Sequence, residues 1–301
     1  MNWSISSSQT FKQCPRKWFY SSLVSRNPKD SLQHEAKSLK KLQSIYAWRG
    51  KLVDDVISYF AIPKLNKKEK LHEQILVEYG LDKARKEFNA VINGSDDFPM
   101  FIELENFGKI DDEIKKTMFS EIEISLRNFT GSQFIKEFYE NGIRIYPQRN
   151  LHFKNDLVNI YCRLDAICIY ENKPPIIVDW KVKTNSYFDH KKQLATYAYV
   201  LSKTKPHQGM EELWKNHFND PTKLDLLEFQ LLHGRERYYS FNEEDILNIE
   251  DFIFESANDM LLLIDKKEYP SIKPEDIPTT LNPSNCERCQ FKRICWRGNN
   301  E

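Results

Sequence analysis

Two aspartates and a lysine lie in the stretch from Tyr161 to Tyr199. β-Branched, apolar runs surround Asp165 and Asp179. Between the runs sits Glu171-Asn172-Lys173-Pro174-Pro175, where Asn and paired Pro form turns. The pattern predicts a hairpin with one carboxylate on each strand. Lys181 follows Asp179 by two residues, so both side chains leave the strand on the same face. Two carboxylates and an ammonium are costly to bury together without a purpose. The chemistry they suit is divalent-cation catalysis, with hard oxygen ligands from the acids and an amine near the attacking water.

Several elements must position these groups. Ile143, Ile145, Leu151, Phe153, Val158 and Ile160 carry strand character ahead of the hairpin. A helix is predicted over 187–202, with His190, Leu194, Tyr197 and Ala198 along one face. Strands are predicted over 224–232 and 237–241, then a helix that starts at Asn242 and runs to about residue 265. Upstream, residues 31–62 repeat apolar positions at three and four, with Gly50 as an interruption. Residues 63–140 read as charged and helical, with candidate helices over 71–88 and 111–129. Near the start, Ser6 to Ser8 offer a cap for a short helix that contains Cys14. Cys162 and Cys168 flank Asp165, and their even spacing predicts two buried or half-buried thiols on one face, without a ligand role.

The chain has 301 residues, 40% of them apolar and 13% aromatic, enough for a sizeable core. Lys and Arg number 44 and Asp and Glu 44, so net charge gives no argument for a nucleic-acid partner. No apolar run is long enough for a membrane span, and the N-terminus lacks a signal-peptide pattern, so a cytoplasmic location without membrane attachment is expected. In that compartment the six cysteines suit metal ligation better than disulfides. Cys286, Cys289 and Cys295 form a C-x2-C-x5-C cluster that needs a fourth ligand.

The ordered set Arg163-Leu-Asp165-Ala-Ile, Val178-Asp179-Trp180-Lys181 and Gln193-Leu-x-x-Tyr197 resembles the PD-(D/E)XK nuclease superfamily. More narrowly it is similar to the RecB-type branch whose members carry an iron–sulfur staple, among them CRISPR-associated RecB-like exonucleases and the AddB nuclease domain. The Ser-rich start and Cys14-Pro-Arg-Lys-Trp-Phe-Tyr are similar to the N-terminal segment of those proteins. The resemblance implies a restriction-endonuclease-like α/β fold, with a mixed central β-sheet flanked by helices. It implies one domain over 1–301, a helical insertion over 63–140 and a cysteine-rich tail over 283–297 that pairs with Cys14.

It also implies a Mg²⁺- or Mn²⁺-dependent deoxyribonuclease. Asp165, Asp179 and the main-chain carbonyl of Trp180 would bind the cation. Lys181 would orient or help deprotonate the attacking water, and Gln193 and Tyr197 would lie near the scissile phosphate. Trp48-Arg49-Gly50-Lys51-Leu52-Val53-Asp54 lines up with a Gly-x-x-x-His motif, with Asp54 at the position of the metal-binding His. Gln148 stands where many relatives have Glu. The family supplies Cys14 as the fourth thiolate beside Cys286, Cys289 and Cys295. Four thiolates suit a [4Fe–4S] cluster or a structural zinc ion equally, and the resemblance favours the cluster. DNA that is single-stranded or has free ends is the implied substrate, in repair or anti-phage defence. No P-loop is present, so any unwinding would come from a partner such as a helicase or a defence-complex subunit. An alternative is an inactive, stapled DNA-binding or scaffold subunit of a larger complex.

Overall fold

The computed structural model describes residues 1–182 and 190–297. Among these, six strands form one mixed sheet: β1 (Asn2–Trp3), β2 (Gly142–Lys154), β3 (Asn159–Tyr170), β4 (Ile176–Lys181), β5 (Asp225–Gln230) and β6 (Arg235–Tyr239). The order is β1-β3-β4-β5-β6, with β2 on the other edge of β3. β2 and β3 form a long antiparallel hairpin, and β4 joins β3 antiparallel. β5 lies parallel to β4, and β6 closes antiparallel on β5.

One edge of β3 is shared by two strands. β1 pairs with it at Asn159 and Ile160, and β4 pairs at Ala166, Ile167 and Cys168. Residues 161–165 have no strand partner on that edge. The sheet therefore opens into a fork at Asp165, next to the last paired residue.

Helices cover both faces. They are α1 (Ile5–Gln13), α2 (Pro15–Phe19), α3 (Ser31–Lys40), α4 (Ile45–Val56), α5 (Ile62–Asn66), α6 (Glu73–Ile92), α7 (Ile102–Phe107), α8 (Asp112–Gly131) and α9 (Gln133–Asn141). After β4 come α10 (His190–Lys203), α11 (Glu211–Leu213), α12 (Glu243–Leu263), α13 (Ser284–Glu287) and α14 (Lys292–Arg297). Trp18, Phe19, Leu194, Val200 and Ile253 belong to one apolar cluster with the sheet. Trp48, Leu76, Leu126, Phe129 and Phe138 belong to the other. Two apolar layers on one sheet make the α/β architecture expected from the sequence. No helix among the described residues is long and apolar enough to cross a membrane.

Several local expectations change. The first helix is capped by Ser4, whose hydroxyl accepts from the Ser7 N–H at 3.1 Å, one turn earlier than Ser6 to Ser8 would give. Cys14 lies between helices rather than inside one: its backbone is extended, and its Sγ accepts from the Lys17 N–H at 3.4 Å as the cap of α2. Pro15 at the first position of α2 needs no N–H partner. Gly50 does not interrupt its helix. The break falls at residues 41–44, where Ser44 caps α4 and the Glu103 carboxylate accepts the Ile45 N–H at 3.0 Å. Those bonds satisfy donors that a continuous helix would have used internally.

Cys162 and Cys168 do not share a face. Cys162 packs in the cluster with Leu151 and Leu164, whereas Cys168 packs with Ile145 and Ala166 on the opposite side. Gln148 has a left-handed backbone (φ 46°), and pairing skips from Pro147↔Ala166 to Arg149↔Leu164. This kink swaps the inward face of the hairpin halfway along, so even spacing no longer means one face. The start of the helix predicted over 187–202 lies outside the described residues; from His190 it stands as read.

Gly142 joins α9 to β2, and a Cβ there would sit 2.1 Å from the Phe138 ring and 2.6 Å from the Phe138 carbonyl oxygen. A Cβ on Gly50 meets nothing within 4 Å. Gly142→Ala should therefore cost about 1–3 kcal/mol, while Gly50→Ala should be neutral or stabilise by up to about 1 kcal/mol. Urea unfolding midpoints of the two variants check this.

Candidate active site

Asp165 and Asp179 sit on β3 and β4 just beyond the last residues those strands pair, Ala166 and Val178. The strands part there, so both acids face the opening of the fork. Asp165 Oδ2 accepts the Trp180 N–H at 2.8 Å and ties the two strands together at the split. Lys181 lies two residues after Asp179, and its Nζ is 2.5 Å from Asp179 Oδ2. The strand alternation predicted from sequence thus delivers the pair to one face.

α10 closes one side. Gln193 Nε2 donates to the Tyr197 hydroxyl at 2.6 Å and reaches Asp179 Oδ1 at 3.3 Å. α4 closes another side with Asp54. Its carboxylate accepts from Gln148 Nε2 at 2.6 Å and from the Ser58 hydroxyl at 3.2 Å. Tyr59 in turn donates to Gln148 Oε1 at 2.8 Å. Asp54 and Gln148, the two departures from the family pattern, are therefore bonded to each other. The left-handed kink at Gln148 aims its amide at α4. Asp54, Asp165, Asp179, Lys181, Gln193 and Tyr197 all line one cleft of about 540 Å³.

Electrostatics mark the cleft as acidic. Burial pushes Asp165 well above the usual carboxylate range, and the charges of Asp179 and Asp54 add to it. Burial also pushes Asp54 up to about 6, against the hydrogen bonds from Ser58 and Gln148. For Lys181 burial opposes the charged form, but Asp179 and Asp165 override it and hold the ammonium above its usual range. Burial and the same two acids keep Tyr197 protonated. Three carboxylates face one amine, an excess of hard anionic oxygens that suits a divalent cation by donor chemistry. Among the described residues, however, no three Asp, Glu, His or Cys side chains are set around a common point as ligands. Lys181 holds the Asp179 oxygen instead. Trp180 enters through its N–H, and its ring packs edge-on to Phe129 and Phe134 at 5.6 Å, anchoring β4 on α8 and α9.

Two residues with no role assigned from sequence belong to this site. Glu228 is fully buried on β5 and stands opposite Asp179 in the parallel ladder. The Tyr239 hydroxyl and Gln230 Nε2 each donate to it at 2.7 Å, and His190 Nε2 is 3.6 Å away. Its signal was an acid inside the apolar run Leu226-Leu227-Glu228-Phe229. Arg49 is the other. Its guanidinium pairs with Glu121 of α8 and donates to the Val182 carbonyl just past β4. It thereby ties the helix carrying Asp54 to the strand carrying Asp179. A lone cation among Ile45, Trp48, Leu52 and Val53 was its trace in the sequence. Lys191 and Lys192 are engaged elsewhere, with Asp245 at 2.9 Å and over the Phe252 ring at 5.0 Å.

The far-apart cysteines also converge. Arg16 donates to the Ile277 carbonyl at 2.8 Å, Gln13 Nε2 to Asn285 Oδ1 at 3.0 Å, and Tyr20 stacks on Phe291 at 5.4 Å. These contacts seat Cys14 beside the C-terminal segment. Burial raises the Cys289 thiol, and Cys14 and Cys295 add to that rise; Cys295 is raised by burial, with Cys14 and Cys286 adding. The four cysteines form no closed ligand set among the described residues.

Breaking the Arg49–Glu121 pair should leave a buried charge uncompensated. Arg49→Met is expected to lose about 3–5 kcal/mol, and Arg49→Met with Glu121→Leu to regain much of it. Denaturant midpoints of the single and double variants measure both.

The chain matches the family model of the PD-(D/E)XK nuclease superfamily over residues 2–296. No curated protein matches it. Among solved structures it is similar to a "putative exonuclease" from Eubacterium rectale, with 10% identity, a TM-score of 0.42, and coverage of 98% of this chain and 91% of that one. A structure named SSO0001 shares 18% identity with a TM-score of 0.27, covering 61% of this chain and 77% of that one. Both scores fall below 0.5, so the assignment rests on the family match alone. That match spans the fork, its two acids, the lysine and the helix that closes over them: the chain belongs to the PD-(D/E)XK nuclease superfamily.

Proposed function

We propose that this nuclease hydrolyses DNA phosphodiester bonds in the fork between β3 and β4, on single-stranded DNA or DNA with free ends. The observation that carries the reading is the meeting of Asp165, Asp179 and Lys181 with Gln193 and Tyr197 in one cleft. Asp165, Asp179 and the main-chain carbonyl of Trp180 are the proposed holders of Mg²⁺ or Mn²⁺, with Asp54 as a further oxygen donor. A cation bound there supplies charge neutralisation on the phosphate and lowers the pKa of a water molecule.

The protein's own groups have separable tasks. Lys181 faces Asp179 and Asp165, which raise its pKa against the effect of burial. It is the group that would orient or help deprotonate the attacking water and stabilise charge developing on the phosphate. Tyr197 keeps its proton and can donate to a phosphate oxygen. Gln193 fixes that hydroxyl relative to Asp179. Arg49 and the Trp180 ring hold the two walls of the cleft in register.

The same reading takes 1–301 as one nuclease domain, with 63–140 as a helical insertion and 283–297 as its closing tail. Cys14, Cys286, Cys289 and Cys295 are proposed ligands of a structural [4Fe–4S] cluster, with zinc as the chemical alternative. A thiolate-bound centre would close a loop nearly as long as the chain, which weak contacts alone close at high entropic cost. Repair and anti-phage defence, with a helicase or another subunit as partner, are the settings in which such a nuclease fits.

Asp179→Asn removes the negative charge while keeping the shape. Cleavage of linear single-stranded DNA with Mn²⁺ should fall by about 100- to 1,000-fold or more, with the thermal midpoint nearly unchanged. Undiminished cutting by that variant would sink the assignment. An unmodified protein that binds DNA but never cuts would point to the scaffold role. Anaerobically purified protein should be brown and contain iron, and Cys289→Ser should bleach it; colourless protein carrying zinc would replace the cluster, and protein with neither metal would end the staple.

A further inference from the structure

A second groove leaves the cleft along the open edge of β3. It holds about 570 Å³ and shares Gln193 and Tyr197 with the acid site. Its floor is the unpaired stretch of β3 with Tyr161 and Arg163, and its far wall is the start of α1 with Ser4, Ser6 and Gln9. Beyond Tyr161 it continues into a hollow of about 510 Å³ that reaches Arg26 and Lys40. The two spaces meet at Ser4, Ser6 and Tyr161.

Three properties of this groove coincide. First, among the described residues no Asp or Glu lines either hollow, in a chain with 44 acids. Second, it has exposed flat rings. Tyr161 is 43% exposed and stacks on His152, its cross-strand partner, with centroids 5.8 Å apart and planes 15° from parallel. Third, its cations are available. Among the described residues Arg26, Lys40 and Arg163 make no ion pair, whereas Lys191 at the neighbouring helix is held by Asp245. Arg163 lies two residues before Asp165 on β3, and its charge acts on Asp54. A polyanion with exposed ring faces matches all three. A duplex buries its base faces in its own stack, so only unpaired nucleotides can lie on the His152–Tyr161 platform.

We propose that this groove binds the single-stranded part of a nucleic acid, with bases on His152 and Tyr161 and the phosphate backbone running from Arg163 towards Arg26 and Lys40. The proposal rests on reading the acid cluster as a nuclease site, since the groove would feed the strand to it. It gives a physical reason for the gap in the sheet: a strand paired with residues 161–165 on that edge would fill the path.

The test uses the full chain without added divalent cation, so that binding is read apart from cutting. Fluorescence anisotropy follows a 20-nucleotide oligo-dT, a 20-nucleotide oligo-rU and a 20-base-pair duplex. At least one single strand should bind tenfold or more tightly than the duplex, and the tighter of the two identifies the sugar. Tyr161→Ala and Arg163→Ala should each weaken single-strand binding by about tenfold, with an unchanged thermal midpoint, while Lys115→Ala on the distant α8 leaves it alone. Equal affinity for duplex, no binding of either single strand, or unaltered binding by the Tyr161 and Arg163 variants would overturn the groove. A parallel assay with Mn²⁺ separates the two readings. Normal groove behaviour without cleavage would defeat the nuclease reading, and cleavage with normal binding by both variants would defeat the groove.

Discussion

The Asp165 carboxylate accepts the Trp180 N–H at the point where β3 and β4 separate. That bond lets two adjacent strands diverge without leaving a buried donor unpaired, and the cleft exists because they diverge. Asp179 and Lys181 then project into the opening from a strand that β5 still holds in register. Had β3 and β4 stayed paired beyond Ala166 and Val178, a ladder would occupy the space between the acids.

Charge clustering in this opening is unfavourable on its own, and the surrounding structure supplies what makes it tolerable. Lys181 neutralises Asp179, backbone and side-chain donors reach Asp165 and Asp54, and Arg49 binds Glu121 and Val182 across the two walls. Apart from Lys181–Asp179, which lies within β4, these contacts join different elements, so the cost of burying acids is spread over β2, β3, β4, α4 and α8. The outcome is a cleft whose remaining negative charge suits a cation. The substituted family positions belong to this arrangement: Asp54 and Gln148 form one hydrogen-bonded unit, and a left-handed residue in β2 aims the amide.

The ends of the chain pack against each other by the same logic of distributed contacts. Aromatic stacking of Tyr20 on Phe291 and hydrogen bonds from Gln13 and Arg16 bring Cys14 to the C-terminal cysteines. Because α1 also walls the groove beside the cleft, fastening the N-terminus fixes one bank of the proposed strand path.

Local chemistry alone was enough to read the hairpin, the shared face of Asp179 and Lys181, the helix carrying Gln193 and Tyr197, and the capped start of α12 at Asn242. Each depends on residues a few positions apart, where side-chain period and capping are decided by the backbone itself. Longer-range geometry escaped it. The opposite faces of Cys162 and Cys168 depend on the kink at Gln148 across the ladder, and the break before α4 depends on Glu103 some sixty residues on. Glu228 and Arg49 have no role assigned from sequence; the fold sets one beside Asp179 and the other between α8 and β4. Spacing along a chain determines which residues can share a strand or helix face; which distant charges meet, and where a sheet splits, are settled only when layers pack, because those energies belong to pairs that sequence order does not bring together.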